Sequence, residues 1–189
     1  SRSVATWGNT VAAVLKDCDI PAHVESNTGY FSSYEIQVIL SMLRILDNPL
    51  QDIPMAAVLA SPIVGMDDEE LAQIRSAFKG VSFAQAALSA MAGENGYEDE
   101  KLKAFALVFE RLRGAVADTP IHELLYMMLD ETGFYRYASA MPAGKRRRQN
   151  IDMLIEMAAA YEKTSYKGLF HFVRYIDIQQ KYEIDYGEA

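Results

Sequence analysis

The sequence predicts an essentially all-α protein with at most one or two short strands near its N-terminus. Three observations support this fold class. Apolar residues in the stretch 36–46 cover more than one stripe of a predicted helix, so this helix is expected to be buried on several sides. Helix start and stop signals recur along the rest of the chain. The one extended segment, residues 20–25, has no second alternating stretch with which it could pair.

The boundaries of the central helix are predicted by its flanking residues. Ser32 and Glu35 have the S-x-x-E spacing of a capping box, in which each side chain satisfies an amide at the helix start. Pro49 ends the helix, because proline cannot continue it and the preceding residue is pushed out of the helical region. Asp52 is expected to cap the next short helix, which ends at Ser61.

The same signals predict the later helices. Apolar positions predict a helix from about Arg147 to Lys163 and a last helix that starts at Ser165. The residues of the last helix expected to face inward are Leu169, Phe170, Val173 and Ile176. The acidic tail after it is expected to fray. The predicted boundary residues are a turn at Gly65, a capping box at Asp67 and Glu70, a cap at Ser82, Thr119 followed by Pro120 in the first turn, and a left-handed cap at Gly133.

Composition excludes several classes of protein. With 189 residues, half of them hydrophobic and 23% charged, the chain is expected to be globular, with one domain or slightly more. No apolar run approaches the ~20 residues of a membrane span, and the first residues lack a signal-peptide core. The single cysteine, Cys18, suits a reducing cytoplasm. A net charge of −8 repels nucleic acid, so any DNA contact must be a local patch.

Catalytic and metal motifs are incomplete in this sequence. One segment resembles the end of a phosphate-binding loop, but Ser139 stands at its first glycine and Arg146 at its hydroxyl position. A second segment begins like the zinc motif H-E-x-x-H at His122, but Tyr126 stands where the second histidine belongs. No nucleophile, base and orienting group occur together, so a free-standing enzyme is the weakest hypothesis.

One cluster of charge is unusual. Four cations in a row at a predicted helix start oppose the helix dipole, at roughly 0.3–1 kcal/mol each. Together with the free amides of a helix start, they could bind phosphate or an acidic surface. Alternatively they are solvated, or the arginines pair with the abundant carboxylates. The four residues are Lys145, Arg146, Arg147 and Arg148.

Several motifs in order resemble the superfamily I DNA helicases of the UvrD and RecB kind. They are G-Y-F-x-x-x-E-I at 29–36, M-L-R-I-L-D-N-P at 42–49 and S-P-I-V-G at 61–65, preceded by R-S-V-A-T-W at 2–7. Within these enzymes the chain is most similar to the AddA (RexA) family of helicase–nuclease subunits. That similarity includes the late pattern that begins R-R-R-Q-N-I-D-M-L at 146–154.

The resemblance implies that the chain is a piece of a larger enzyme. Residues 1–25 would be a remnant of the RecA-like 2A domain, and residues 26–189 the helical 2B subdomain. This subdomain would position duplex DNA and move relative to the motor of a cytoplasmic helicase and exonuclease for double-strand-break repair. ATP and Mg would serve the parent protein, whereas the fragment would be inactive, with no cofactor, metal or catalytic residue. Partners would be DNA, other subdomains of the same chain and an AddB (RexB)-type subunit, but no membrane.

The resemblance also implies candidate DNA-binding residues. One loop near the 2A junction and one turn match the family's contact segments, although Val64 stands where the UvrD pattern has arginine. The alternative is an acidic helical module that docks to a partner subunit without contacting DNA. The full candidate set is Thr28, Gly29, Tyr30, Ser61 and Gly65 with Lys145, Arg146, Arg147 and Arg148.

Overall fold

The computed structural model describes residues 29–164 and 168–187, the last six of these by backbone alone. This part of the chain contains α-helices and one short 3-10 helix but no strand, which confirms the all-α prediction. The predicted first helix, Cys18, the extended segment 20–25 and the helix start at Ser165 lie outside the described residues. The helices are α1 Tyr34–Asp47, α2 Asp52–Ala60, α3 Asp68–Ala77, α4 Phe83–Met91, α5 Glu100–Ala115, α6 Ile121–Thr132, α7 Phe134–Ala140, α8 Gly144–Tyr161 and α9 Leu169–Gly187, with the 3-10 helix at Glu94–Gly96.

The chain divides into two units. Of the described residues, 34–164 and 168–173 form one, and 29–33 with 174–187 belong to the other. The larger unit is built around α1, which packs against α2, α5 and α8. Ile36, Ile39 and Met42 of α1 have no exposed surface, and its other apolar side chains from Val38 to Leu46 are also buried. The predicted central helix is therefore confirmed.

The predicted capping box at Ser32 and Glu35 is wrong. The helix begins at Tyr34, and the Ser32 hydroxyl donates to the Gly29 carbonyl at 3.0 Å, within the preceding turn. Glu35 binds Arg147 and Asn150 of α8 instead. These donors from a distant helix satisfy both carboxylate oxygens, whereas the Ser32 amide of a capping box would satisfy only one.

Asp52 also acts away from its own helix. The N-cap of α2 is Gln51, which makes no side-chain cap, and the Asp52 carboxylate accepts from the Ala84 amide at 2.9 Å. Ala84 lies in the first turn of α4, where backbone amides have no partner within the helix. Asp52 therefore caps α4 across 32 residues of sequence, and the predicted local cap is wrong.

Other local signals are confirmed. At α3, the Asp67 carboxylate accepts from the Glu70 amide and the Glu70 carboxylate from the Asp67 amide, both at 2.8 Å. Ser82 forms the same reciprocal arrangement with Gln85 at α4. Gly133 ends α6 in the left-handed region with φ of 65°. At these two helix starts the partners lie three residues apart, and the sequence was sufficient to place them.

The start of α6 is capped from elsewhere. Pro120 is its N-cap and makes no side-chain cap, so the prediction of Thr119 as the cap is wrong by one residue. Glu162, just after α8, supplies the acceptor for the Ile121 amide with one carboxylate oxygen and contacts His122 Nδ1 with the other. This carboxylate joins the start of α6 to the end of α8.

The region after Gly133 differs from the prediction. A further helix, α7, starts immediately at Phe134, because the left-handed glycine redirects the chain without interrupting helix formation. Then α8 begins at Gly144, three residues before the predicted start, and ends at Tyr161. A Cβ on Gly144 would lie 2.7 Å from the carbonyl carbon of Ser139 and closer still to its oxygen, so only glycine fits this contact.

The last helix is out of phase with the prediction at one position. Leu169 and Ile176 are buried as predicted, but Phe170 is 51% exposed and Phe172 is fully buried. The ring of Phe172 packs on that of Tyr161 with 5.4 Å between centroids. The backbone of α9 stays helical to Gly187, so the predicted frayed tail is helical over those residues.

Candidate nucleic-acid interface

The basic run lies on the first turn of α8, as the sequence predicts. Ala143 is its N-cap, with a left-handed φ of 59° and no side-chain cap, so no local side chain occupies the amides of the first turn. Lys145, Arg146 and Arg148 are exposed, whereas Arg147 is half-buried. The helical period therefore divides the run into three outward cations and one inward cation.

Arg147 is held by two acceptors. Its Nη1 donates to Glu35 Oε2, and its Nε donates to the Pro142 carbonyl at 3.0 Å. Asn150 donates its Nδ2 to the other oxygen of Glu35 at 2.6 Å. The Glu35 side chain is only 2% exposed, against 23% for Arg147. The carboxylate is thus buried with both oxygens satisfied.

The charge of Glu35 is maintained in spite of burial. Desolvation raises the pKa of this carboxyl, but hydrogen bonds from Asn150, from its own amide and from Arg147 together outweigh it and lower the pKa. Glu35 therefore stays ionised, and Arg147 serves as its counter-ion.

The two sequence alternatives for the basic run apply to different residues. Arg147 pairs with a carboxylate, as one alternative proposed. Within residues 29–164 and 168–181, no carboxylate forms an ion pair with Lys145, Arg146 or Arg148. These three cations project from a helix start that is fixed to α1 through Glu35 and to α7 through Gly144.

The turn Ser61–Gly65 is structured by its own hydrogen bonds. The buried Ser61 hydroxyl donates to the Val58 carbonyl at 2.7 Å, and the Gly65 amide donates to the Ser61 carbonyl at 2.7 Å. Gly65 adopts φ of 75° and is exposed. Its carbonyl accepts from Lys101 Nζ at 2.9 Å.

Lys101 was not predicted from the sequence. It lies 36 residues beyond Gly65, and no local pattern connects the two. Its ammonium also bonds both oxygens of Glu70 at 2.7 Å, which raises the lysine pKa and lowers the glutamate pKa. The turn that lacks arginine at position 64 therefore has a cation beside it, although that cation is already paired with a carboxylate.

The first candidate loop is a tight turn. Thr28 lies outside the described residues, and Gly29 adopts φ of 100°. Tyr30 is 9% exposed, and its ring meets that of Phe31 edge to face with 4.9 Å between centroids. The Ser33 amide donates to the Tyr30 carbonyl at 3.1 Å. This arrangement makes Tyr30 a packed residue of the turn.

The described residues also contain a cavity between α6, α7 and α8. This cavity of about 260 Å³ is lined by Tyr126, Asp130, Tyr135, Arg136 and Asp152, and the Tyr135 hydroxyl donates to Asp152 at 3.1 Å. Across the described residues, no group of three or more His, Cys, Asp or Glu side chains could hold a metal ion. Over the same part of the chain, no helix combines the length and apolarity of a membrane span.

Comparison with known proteins places the chain in a family. No family model matches it. It is 42% identical over 173 residues to a protein of Anoxybacillus flavithermus and 37% identical over 186 residues to one of Oceanobacillus iheyensis. A protein of Acetivibrio thermocellus is 37% identical over 188 residues. These alignments cover 90%, 97% and 100% of this chain but only 14–15% of the three relatives, each named as the A-type subunit of an ATP-dependent helicase/nuclease.

The matches therefore define a class: the chain corresponds to one segment of bacterial proteins about seven times its length, and the described residues of this segment are all-α. It belongs to the AddA family of ATP-dependent helicase/nuclease proteins, of which it represents one segment.

Proposed function

We propose that this chain is the 2B-like accessory subdomain of an ATP-dependent DNA helicase and nuclease, and that the start of α8 contacts duplex DNA. The similarity to AddA proteins supports the parent activity. The helical architecture agrees with an accessory subdomain. ATP and Mg would bind elsewhere in the parent, so the 189-residue chain should not hydrolyse ATP. Measured ATP turnover by this chain would contradict the proposal.

The proposed DNA contact rests on the orientation of the basic run. Lys145, Arg146 and Arg148 are exposed on one turn of a helix, next to amides that no local side chain caps. Cationic side chains and uncapped helix-start amides each bind phosphate oxygens, and here they lie side by side. The net charge of −8 makes a local cationic cluster the electrostatically favourable approach for DNA.

The proposal is tested by the salt dependence of duplex binding. Each phosphate contact releases counterions, so the slope of log K against log salt becomes shallower by about 0.9 for each phosphate contact that is removed. The variant Arg146→Ala/Arg148→Ala should therefore bind more weakly, with a slope about two units shallower if both arginines bind phosphates. Lys79→Ala removes an exposed cation on another surface and is the matched control. Equal slopes for the double variant and the control would refute the proposal.

A second function has one observation in its favour. Leu50 and Ile53, in and just after the α1–α2 connection, are 55% and 83% exposed. Two apolar side chains exposed so close together offer surface that another protein could bury. With the acidic charge of the chain, it supports docking to an AddB (RexB)-type subunit without DNA contact.

The docking hypothesis has its own test. Ile53→Asp should abolish co-purification of the parent protein with its partner subunit, while Leu107→Asp, at a residue 66% exposed on α5, should not. If the chain binds no duplex even at low salt and Ile53→Asp abolishes the complex, docking is the function. If Ile53→Asp leaves the complex intact, this alternative is excluded.

A further inference from the structure

Two exposed tyrosines lie beside the basic run. Tyr34, the first residue of α1, is 44% exposed, and Tyr137, in the middle of α7, is 46% exposed. Both rings present large apolar faces to solvent. A partly exposed tyrosine ring offers a flat face on which another flat group can stack.

Contacts of adjacent residues bring these tyrosines to the start of α8. Glu35, next to Tyr34, binds Arg147. Ser139, two residues after Tyr137, packs its carbonyl group against Gly144. The beginnings of α1 and α8 and the second half of α7 therefore converge. Desolvation is the main cause that raises the pKa of Tyr34, with Tyr137 raising it further and Arg147 lowering it, which agrees with close placement.

The ring of Tyr137 is held in place. It stacks on Phe134 with 6.2 Å between centroids and 17° between ring planes. Phe134 is 1% exposed, so the inner face of the pair is anchored in the core. A ring fixed in this way loses little conformational freedom when a second flat group stacks on it.

We propose that Tyr34 and Tyr137 stack on unpaired DNA bases whose phosphates contact Lys145, Arg146 and Arg148. This inference rests on the proposed function, since the same cations hold the backbone, and it specifies the substrate as DNA with an unpaired segment. Aromatic side chains next to cations are the combination that binds single strands without sequence preference. Bases inside a duplex are already stacked, so their faces are closed to these rings.

The test distinguishes binding through DNA bases from binding through phosphates. Binding of the 189-residue chain is measured by fluorescence anisotropy with an oligothymidylate of about 20 nucleotides, long enough to span one such site, and with an abasic oligomer of equal length and charge. Wild type should bind the thymidylate at least about fivefold more tightly for each stacked base. Tyr34→Ala/Tyr137→Ala should remove this difference, and Tyr34→Phe/Tyr137→Phe should keep it. Tyr126→Ala, at a tyrosine 58% exposed on α6, is the matched control.

The possible outcomes distinguish the two proposals. If both oligomers bind equally and Arg146→Ala/Arg148→Ala weakens both, the phosphate contact stands and base stacking is refuted. If the thymidylate preference survives in Tyr34→Ala/Tyr137→Ala, or disappears equally in Tyr126→Ala, base stacking by this pair is likewise refuted. If the chain binds neither oligomer and no duplex at low salt, both proposals fail.

Discussion

Replacing Arg147 tests the idea that this arginine stabilises the fold and does not serve to bind a ligand. Arg147→Ala leaves the Glu35 carboxylate, 2% exposed, with Asn150 and its own amide as donors. Removing one member of a buried ion pair costs about 3–5 kcal/mol. Arg147 retains 23% exposure, so water can reach the vacated space, and we expect about 3 kcal/mol. Glu35→Gln keeps an acceptor for Asn150 and should cost about 1–2 kcal/mol.

The free energy of unfolding is measured by urea denaturation at several pH values. The folded-state pKa of Glu35 lies below its ordinary value of 4.5. Its stabilising contribution is therefore fully present above about pH 4.5 and disappears as pH falls through the lower folded-state value. The stability difference between wild type and Glu35→Gln should be constant at neutral pH and shrink in acid.

A control variant and a double-mutant cycle test whether Glu35 and Arg147 stabilise the fold as a pair. Lys145→Ala, at an exposed position of the same helical turn, should change stability by no more than about 0.5 kcal/mol. A double-mutant cycle between Glu35→Gln and Arg147→Gln should give a coupling energy of about 1–3 kcal/mol. A zero coupling energy, or Arg147→Ala as harmless as Lys145→Ala, would show that the pair does not stabilise the helix junction.

Three further predictions concern local packing. Gly144→Ala should cost at least about 2 kcal/mol, because its Cβ collides with backbone, while Gly114→Ala, with open space around it, should stabilise by about 0.4–1 kcal/mol. Asp67→Ala removes half of a reciprocal cap and should cost about 0.5–2 kcal/mol, seen as faster amide exchange at the start of α3. Phe172→Ala should cost about 3–5 kcal/mol, but Phe170→Ala under about 1 kcal/mol.

Each of these has a result that would contradict it. Thermal melts that rank Gly144→Ala and Gly114→Ala equally would mean that α7 and α8 are not in close backbone contact. Unchanged exchange at α3 after Asp67→Ala would mean that the cap is not formed in solution. Similar losses of stability for Phe170→Ala and Phe172→Ala would mean that Phe170 faces inward, as the sequence pattern predicts.

The sequence was sufficient for several features that depend on residues close together in the chain. The capping boxes at Asp67 and Ser82 join residues three apart, and the left-handed end at Gly133 depends on one residue. The central helix α1 was also predictable, because a helix that is apolar on nearly every side has only buried positions available. The basic run was also correctly placed at a helix start, because the signals for a helix start are local in the sequence.

The sequence was insufficient where a side chain chooses a distant partner. Glu35 and Asp52 both have the right spacing for local caps, yet each binds an element that no local pattern connects to it. For the same reason the division of the cationic run, with Arg147 inward, could not be predicted before α1 and α8 were packed. The short helix α7 was missed because Gly133 both ends one helix and precedes another.

The carboxylate of Glu162 has a consequence for the order in which the molecule matures. It satisfies the Ile121 amide across 41 residues, so a nascent chain must be synthesised through the whole of α8 before that amide gains its acceptor. Until then the Ile121 amide lacks this acceptor and is hydrated instead. The contact between the start of α6 and the end of α8 therefore forms only after Glu162 has been translated.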